Sequence, residues 1–310
     1  MPEYPDIENY VAGLERWVLG QTLEEMTFKD PFLLRTVSPK PEECAGQKVV
    51  SVRRLGKRVV LGLEAPPDGG EAIYIVVHLM IAGRLRWRAT APKTGWIPSA
   101  LMRFRFPAGL LYLTEAGTKR RARIYIERGQ AAVLLHDPGG LEIFECTIED
   151  FASRLTLRNH TLKRALTDPH LFSGIGNAYS DELLHRARMS PVRLTQKLTP
   201  AEIERLFVAT RETLASWAEL LRSEVGEGFP EHVTAFHPKM AVHGRYGEEC
   251  PDCHGTVQRI RYADNETNYC PNCQTEGRLL ADRSLSRLLK KDWPRSLDEL
   301  EDHLAQRRAE

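Results

Sequence analysis

The feature that most restricts how this chain folds is a group of four cysteines near residue 260. Cys250 and Cys253 form one Cys-x-x-Cys pair. After sixteen intervening residues, Cys270 and Cys273 form a second pair. Two such pairs at this separation are typical of a tetrahedral structural zinc site. We therefore predict one structural Zn²⁺, with a redox-active Cys-x-x-Cys as the alternative.

The segment between the two cysteine pairs has the pattern of a β-hairpin. Residues 257–262 have the alternating pattern of a strand, residues 263–266 favour a turn, and residues 267–269 form the returning strand. Alternation puts Arg259 and Arg261 on one face of the first strand. The sequence thus predicts a zinc ribbon that carries two guanidinium groups together.

Composition elsewhere is that of a globular protein without a membrane segment. The other cysteines, Cys44 and Cys146, are isolated, so the pattern does not indicate a disulfide framework. No apolar run approaches the ~20 residues of a membrane span. Glu3, Asp6 and Glu8 precede any apolar run, which excludes a signal peptide, and we expect a cytoplasmic protein. The net charge is only +1, so affinity for a polyanion must come from local basic faces.

The first residues contain a candidate nucleophile. Removal of Met1 before the small residue Pro2 leaves a secondary amine as the first atom of the chain. An α-amino group has a pKa of ~7.7–8.0, so a useful fraction is uncharged at neutral pH and can attack an aldehyde-like carbon. Glu3 follows directly and can exchange protons with the attacked group. Most chains that begin Met-Pro are merely processed there, so a catalytic role needs support from the rest of the chain.

After this start, the pattern predicts one helix followed by a β-rich region. Apolar residues recur at helical spacing between Pro5 and Val18. Short β-branched runs separated by Gly and Pro then argue for a β-sandwich or barrel between residues 22 and 145. The predicted strands include residues 49–52, 59–63, 73–77 and 132–135.

Two basic runs lie within this β-rich region. Arg84, Arg86 and Arg88 alternate with apolar residues, which puts them on one strand face. Residues 119–121 form the second run, Lys-Arg-Arg, and Arg123 follows it. Each run is either a solvated face or a surface for phosphates, and two runs on one sheet favour phosphates.

After residue 150 the pattern becomes helical. Residues 150–157 and 162–166 predict two helices. The Gly-Ile-Gly-Asn sequence at 174–177 predicts a tight turn that leads into a helix near Ala178. N–H groups at such a helix start can bind a phosphate, although a plain interhelical turn fits the pattern too. A capping box at 199–202 opens a long amphipathic helix.

With these motifs in order, the chain resembles the formamidopyrimidine-DNA glycosylase / endonuclease VIII family. The resemblance runs from residue 1 to about 274 and rests on the Met-Pro-Glu-x-Pro start, the turn at 174–177 and the four cysteines. It implies an α+β multidomain fold. An N-terminal β-sandwich with a catalytic N-terminal helix precedes a helix-two-turn-helix bundle with a four-cysteine zinc ribbon.

The resemblance also implies a base-excision-repair DNA glycosylase with AP-lyase activity. In the family's scheme, Pro2 attacks C1′ of the damaged nucleotide and Glu3 supplies acid/base assistance. The resulting iminium is the electron sink for β/δ-elimination. The damaged base must leave the helix stack before C1′ is accessible.

Family contacts to DNA carry over unevenly onto this chain. Lys57, which we place with the catalytic residues, matches the family's strand lysine, and His78 and Asn177 match its histidine and its turn asparagine. Asn265 occupies the place of the finger arginine, for which Arg259 or Arg261 is a candidate substitute. A further departure is Asp6, which replaces a glutamate of the family.

Substrate preference is the open point of the resemblance. The oxidised-purine enzymes have a methionine two residues after His-Leu and an Arg-Arg-Phe-like loop. Here Ile81 takes the methionine's place, and Arg120 and Arg121 precede Ala122 rather than a phenylalanine. We predict that Arg120 and Arg121 contact DNA and that the substrate is an oxidised purine. Oxidised pyrimidines, alkylated bases and cross-linked bases are the alternatives.

The resemblance divides the chain into four segments. They are a catalytic domain at 1–148, a helix-two-turn-helix DNA-binding domain at 149–238, a zinc-finger hairpin at 239–274 and a C-terminal helical extension at 275–310. We expect a monomer that binds damaged double-stranded DNA and associates with the nucleoid of a bacterial-type cell. The rival hypotheses are a damage-binding protein of the same fold with weak or no catalysis and a zinc-ribbon accessory protein.

Overall fold

The computed structural model describes residues 1–233, 236–262, 265–281, 294–296 and 299–300. The chain forms two compact units. One comprises residues 1–139 and 216–234, and the other comprises 140–215 and 235–310. The bounds of the four segments, 1–148, 149–238, 239–274 and 275–310, remain a prediction. Most of the predicted C-terminal helical extension at 275–310 lies outside the described residues.

The first unit is a β-sandwich that begins with a helix, as predicted. Helix α1 covers Tyr4–Trp17. One four-stranded sheet has the order β2-β3-β4-β8 and the other has the order β1-β6-β7-β5. The strands are β1 (Glu25–Phe28), β2 (Val49–Leu55), β3 (Arg58–Leu63), β4 (Ile73–His78), β5 (Gly83–Arg88), β6 (Ala100–Phe106), β7 (Gly109–Glu115) and β8 (Arg123–Arg128).

The core of this unit fixes the start of the chain. The buried face of α1, which includes Ile7 and Leu14, shares a hydrophobic cluster with apolar residues of both sheets. The Tyr10 hydroxyl accepts a hydrogen bond from the Leu85 N–H at 3.2 Å, which ties α1 to β5. Because α1 is held on two sides, the residues that precede it have a fixed position.

One predicted strand of this unit is wrong. Residues 132–135 lie in and just after helix α2, which covers Gln130–Leu134. Only Val133 is buried, where it packs on Val60 and Val76, whereas Leu134 and Leu135 are exposed. A short apolar run does not distinguish a strand from a helix, and the preceding Gln-Ala-Ala favours the helix.

The second unit consists of helices and a hairpin. Its elements are α3 (Ile148–Thr156), α4 (Leu162–Thr167), α5 (Asn177–Arg186), α6 (Pro200–Val225), β9 (Gln258–Tyr262), β10 (Asn265–Tyr269) and α7 (Pro271–Thr275), and the C-terminal end of α6 belongs to the first unit. The predicted capping box of α6 is confirmed, since Glu202 N–H donates to Thr199 Oγ1 and Thr199 N–H donates to Glu202 Oε2. None of the helices within the described ranges is both long and apolar enough to cross a membrane.

Candidate active site and nucleic-acid interface

The start of α1 is buried and rich in carboxyl groups. Pro2 is buried, and Glu3 and Asp6 are each only 2% exposed. The Glu3 N–H donates to Asp6 Oδ2 at 2.8 Å. Within the described residues, Asp6 Oδ1 has no hydrogen-bond partner. Burial raises the pKa of Asp6 to about 7, so this carboxyl takes up and releases protons near neutral pH.

The terminal amine lies in the same buried environment. Burial lowers the pKa of the Met1 amine below its usual value of 8.0. The negative charge of Glu3 opposes this shift, whereas the positive charges of Arg84 and Lys57 add to it. A terminal amine in this position is therefore less often protonated than one in water, and it is correspondingly more nucleophilic.

Lys57 and His78 belong to the β2-β3-β4-β8 part of the sandwich. Lys57 follows Gly56, which has a φ of +59°, in the turn between β2 and β3. His78 is the last residue of β4. Burial, together with the positive charges of Arg58, Arg123 and Lys57, lowers the pKa of His78 to about 3. His78 is thus a neutral imidazole at physiological pH, able to donate one N–H.

The basic run between β7 and β8 is held by a buried carboxylate. Glu115 Oε2 accepts hydrogen bonds from the N–H groups of Arg121 and Ala122, each at 2.9 Å. Arg120 Nη1 donates to Asp30 Oδ2 at 3.1 Å, although half of the Arg120 side chain is exposed. The loop is therefore fixed at its base, while both arginine side chains are exposed.

The arginines of β5 have partners within their own unit. Arg86 and Arg88 both form ion pairs with Glu231. Arg84 Nε donates to the Val233 carbonyl oxygen at 2.7 Å. Because protein groups already engage them, these three side chains are weaker candidates for phosphate contact than the sequence pattern indicates.

In the second unit, Asn177 and the hairpin arginines lie around one residue, Glu266. Asn177 is the first residue of α5, and its Nδ2 donates to the Glu266 carbonyl oxygen at 2.9 Å. Arg259 and Arg261 both contact Glu266 Oε2, at 3.4 and 3.3 Å, so they share one face as predicted. Arg259 also stacks 4.0 Å from the ring centroid of Tyr246.

The four cysteines lie together at the base of this hairpin. The Sγ atoms of Cys250, Cys253, Cys270 and Cys273 are all within 4.8 Å of one another. Sulfur atoms that bind one zinc tetrahedrally at ~2.3 Å are about 3.8 Å apart, so the spacing and the thiolate chemistry fit a zinc ion. The structure thus brings together four ligands able to hold a metal.

Several buried polar residues around this cluster were not predicted. His185 on α5 is 3% exposed, and its Nε2 lies 3.2 Å from Cys250 Sγ. Asp181, also on α5, contacts Lys163 and His243 and accepts from the Asn268 N–H at 3.1 Å. The sequence alone contains no signal for these contacts, because they join residues 18 to 87 positions apart.

A second carboxylate on the same helix holds the segment before the hairpin. Glu182 is 6% exposed, and its two oxygens accept from three consecutive N–H groups at 241–243, at 2.8 to 2.9 Å. Burial raises the pKa of Glu182 and the three N–H groups oppose that shift, so these hydrogen bonds fix the segment that leads into the hairpin.

Two models of one family match the chain. The formamidopyrimidine-DNA glycosylase N-terminal domain matches residues 1–124, and the formamidopyrimidine-DNA glycosylase H2TH domain matches residues 140–225. A formamidopyrimidine-DNA glycosylase of Thermus thermophilus is 33% identical over 289 residues, which cover 89% of this chain and 100% of that protein.

Solved structures give the same result. A Thermus thermophilus Fpg structure is 31% identical, has a TM-score of 0.71, and the match covers 88% of this chain and 98% of that one. The complex of Lactococcus lactis Fpg with DNA that contains an abasic site is 21% identical. Its TM-score is 0.76 with coverage of 88% and 99%, which supports the fold.

Proposed function

The chain belongs to the formamidopyrimidine-DNA glycosylase family, and we propose that it excises a damaged base from duplex DNA and then cleaves the strand at the abasic site. The observation that carries this proposal is the buried chain start, where Pro2 and Glu3 are both buried and burial lowers the pKa of the Met1 amine that precedes them. That pair has the groups that covalent base excision needs.

In the proposed mechanism, removal of Met1 makes the Pro2 nitrogen the nucleophile. Its lone pair forms a bond to C1′ while the bond from C1′ to the base breaks, and the base leaves with a proton. Glu3 protonates the ring oxygen, which opens the sugar and gives an iminium. Loss of a C2′ proton expels the 3′ phosphate, and a second elimination expels the 5′ phosphate. Lys57 adds positive charge beside the amine, which favours its uncharged form.

The proposed DNA contacts come from both units. His78, Arg120 and Arg121 would contact the DNA from the first unit, and exposed or partly exposed side chains support this role. Asn177, Arg259 and Arg261 would contact it from the second. We further propose a monomer in the bacterial cytoplasm, associated with the nucleoid.

The four cysteines are proposed to hold one structural Zn²⁺. Thiolate ligands at tetrahedral spacing support zinc, and a bound ion would fix the hairpin that carries Arg259 and Arg261. The expected result of metal analysis is one zinc per chain, lost when Cys250 and Cys253 are replaced by serine. Absence of zinc from freshly purified protein would overturn this assignment.

The proposed substrate is an oxidised purine such as 8-oxoguanine or formamidopyrimidine. Ile81 and Ala122 replace residues typical of oxidised-purine enzymes, so oxidised pyrimidines, alkylated bases and cross-linked bases belong in the same test. A panel of duplexes, each with one lesion and a labelled strand, measures base release and strand cleavage separately. Release of an oxidised purine with strand cleavage is expected. Tight binding without release from any lesion would favour a damage-binding protein.

A further inference from the structure

Three basic residues are neighbours across the sheet that contains His78. Arg58 on β3 pairs in register with His78 on β4, and His78 pairs with Arg123 on β8. Residues directly opposite one another in an antiparallel sheet point to the same face. The three side chains, which we name the basic row, therefore project together from one face of three adjacent strands.

This face is the outer face of the sandwich. Val59 and Val77, which neighbour the row along the strands, belong to the hydrophobic core shared by the two sheets. Because side chains alternate along a strand, Arg58 and His78 point away from that core. The next residues on the outer face, Val60 and Val76, pack against helix α2 instead.

The basic row lacks the acidic partners that other arginines of this unit have. Arg54, Arg86, Arg88, Arg105 and Arg128 each form an ion pair with a glutamate. In the described part of the chain, neither Arg58 nor Arg123 has a carboxylate within 4.0 Å of its guanidinium group. Arg58 and Arg123 flank His78 from two strands apart, and the positive charge of each helps to lower the pKa of that imidazole.

Arg58 has a second sign of a missing partner. Its side chain is half-buried, and its Nε is buried with no hydrogen-bond partner among the described residues. Burial lowers the pKa of Arg58, and the charge of Arg123 lowers it further, while Tyr125 and Asp137 oppose the shift. A buried donor without an acceptor costs free energy that a bound acceptor recovers.

We propose that Arg58 and Arg123 bind two backbone phosphates of the DNA strand, one on each side of His78. The inference rests on the proposed function and extends its DNA contacts to two residues outside the predicted set. A guanidinium group donates two parallel hydrogen bonds to a phosphate, which suits it to this role. Neighbouring strands are about 4.8 Å apart, so the two arginine backbones are separated by roughly 10 Å and can hold separate phosphates.

The salt dependence of DNA binding tests the basic row. The probe is a labelled duplex with one tetrahydrofuran abasic analogue, titrated by fluorescence anisotropy at several KCl concentrations. Each phosphate contact contributes about 0.9 to the slope of log K against log[salt], so Arg123→Gln and Arg58→Gln should each reduce the slope by about 1 and the double variant by about 2.

A matched control comes from the same strand. Arg128 is the last residue of β8, lies on the opposite face from Arg123 and pairs with Glu43. Arg128→Gln should keep the wild-type slope. Arg123 is exposed, so Arg123→Gln decides the matter even if Arg58→Gln fails to fold.

The outcomes separate this inference from the proposed function. If Arg123→Gln keeps the wild-type salt slope and the wild-type protein cleaves abasic DNA normally, phosphate binding by the basic row is overturned and the proposed function is not. Failure of the wild-type protein to bind the duplex would overturn both. If Arg123→Gln and Arg128→Gln reduce the slope equally, the loss is a general effect of charge, and this result would also overturn phosphate binding by the basic row.

Discussion

The two units of this protein treat their charged groups in opposite ways. In the first unit, burial moves the pKa values of Asp6 and His78 far from their usual ranges, and two buried atoms, Asp6 Oδ1 and Arg58 Nε, have no hydrogen-bond partner among the described residues. In the second unit, Asp181 and Glu182 are just as buried, yet several donors surround each of them. Unpaired buried charge suits groups that react or bind a ligand, whereas paired buried charge suits a scaffold.

Substitutions in the two units should therefore affect different properties of the protein. Changes at the start of the first unit should reduce chemistry while the fold persists. Changes in the cysteine cluster or the Asp181 network should reduce stability first, and DNA binding should fall as a consequence.

The largest effect is expected from removal of the metal. Metal binding contributes roughly 10–16 kcal/mol to the folding of zinc-finger peptides, so a strong chelator should unfold the ribbon. Circular dichroism and zinc release should change together, while the core of the first unit keeps its own thermal transition. As the control, Cys146→Ser should retain the metal, because Cys146 lies outside the cluster. A ribbon unchanged by complete metal loss would refute the scaffold role.

Replacement of Glu3 should give the next largest effect. General acid–base groups typically contribute about 10²- to 10⁴-fold to a rate, so Glu3→Gln should slow single-turnover base release by that factor. The free energy of unfolding should stay close to the wild-type value. Glu8→Gln is the matched control one turn along α1, where the carboxylate pairs with Arg54 at 2.8 Å. Equal rates for Glu3→Gln and wild type would contradict the proposed chemistry.

A substitution of Asp181 tests the paired network of the second unit. Asp181→Asn leaves Lys163 without its buried counter-charge, so urea denaturation should show a loss of about 3–5 kcal/mol in the free energy of unfolding. The control is Glu212→Gln, which breaks an exposed pair with Arg186 and should cost less than about 1 kcal/mol. Similar losses in the free energy of unfolding for the two variants would show that the buried network stabilises the fold no more than an exposed ion pair does.

The last prediction concerns the pH dependence of stability. The pKa of Asp6 is about 7 in the folded protein and near 3.8 in an unfolded chain, so folding retains a proton between these values. Stability from Asp6 is therefore fully present below pH 3.8 and is lost as the pH rises through 7. Asp6→Asn should remove this decline, which reaches at most about 1.4 kcal/mol per pH unit. Parallel stability curves for wild type and variant between pH 4 and 7 would contradict the raised pKa.

Short-range patterns predicted much of this molecule. The Met-Pro-Glu start, the cysteine spacing and the capping box at Thr199 each act within a few residues, so the sequence alone reveals them. Segment 132–135 was misassigned because a short apolar run fits either a strand or a helix. The contact of His185 with Cys250 and the basic row depend on tertiary packing and strand register, which local patterns do not contain.

Borohydride trapping on a duplex with an abasic site, followed by peptide mapping, tests the central claim most directly. This substrate avoids the question of which base is excised and asks only whether the terminal amine forms a covalent bond. We predict a reduced adduct on Pro2. An adduct on a lysine such as Lys57, or no adduct from zinc-loaded protein that lacks Met1, would contradict the account.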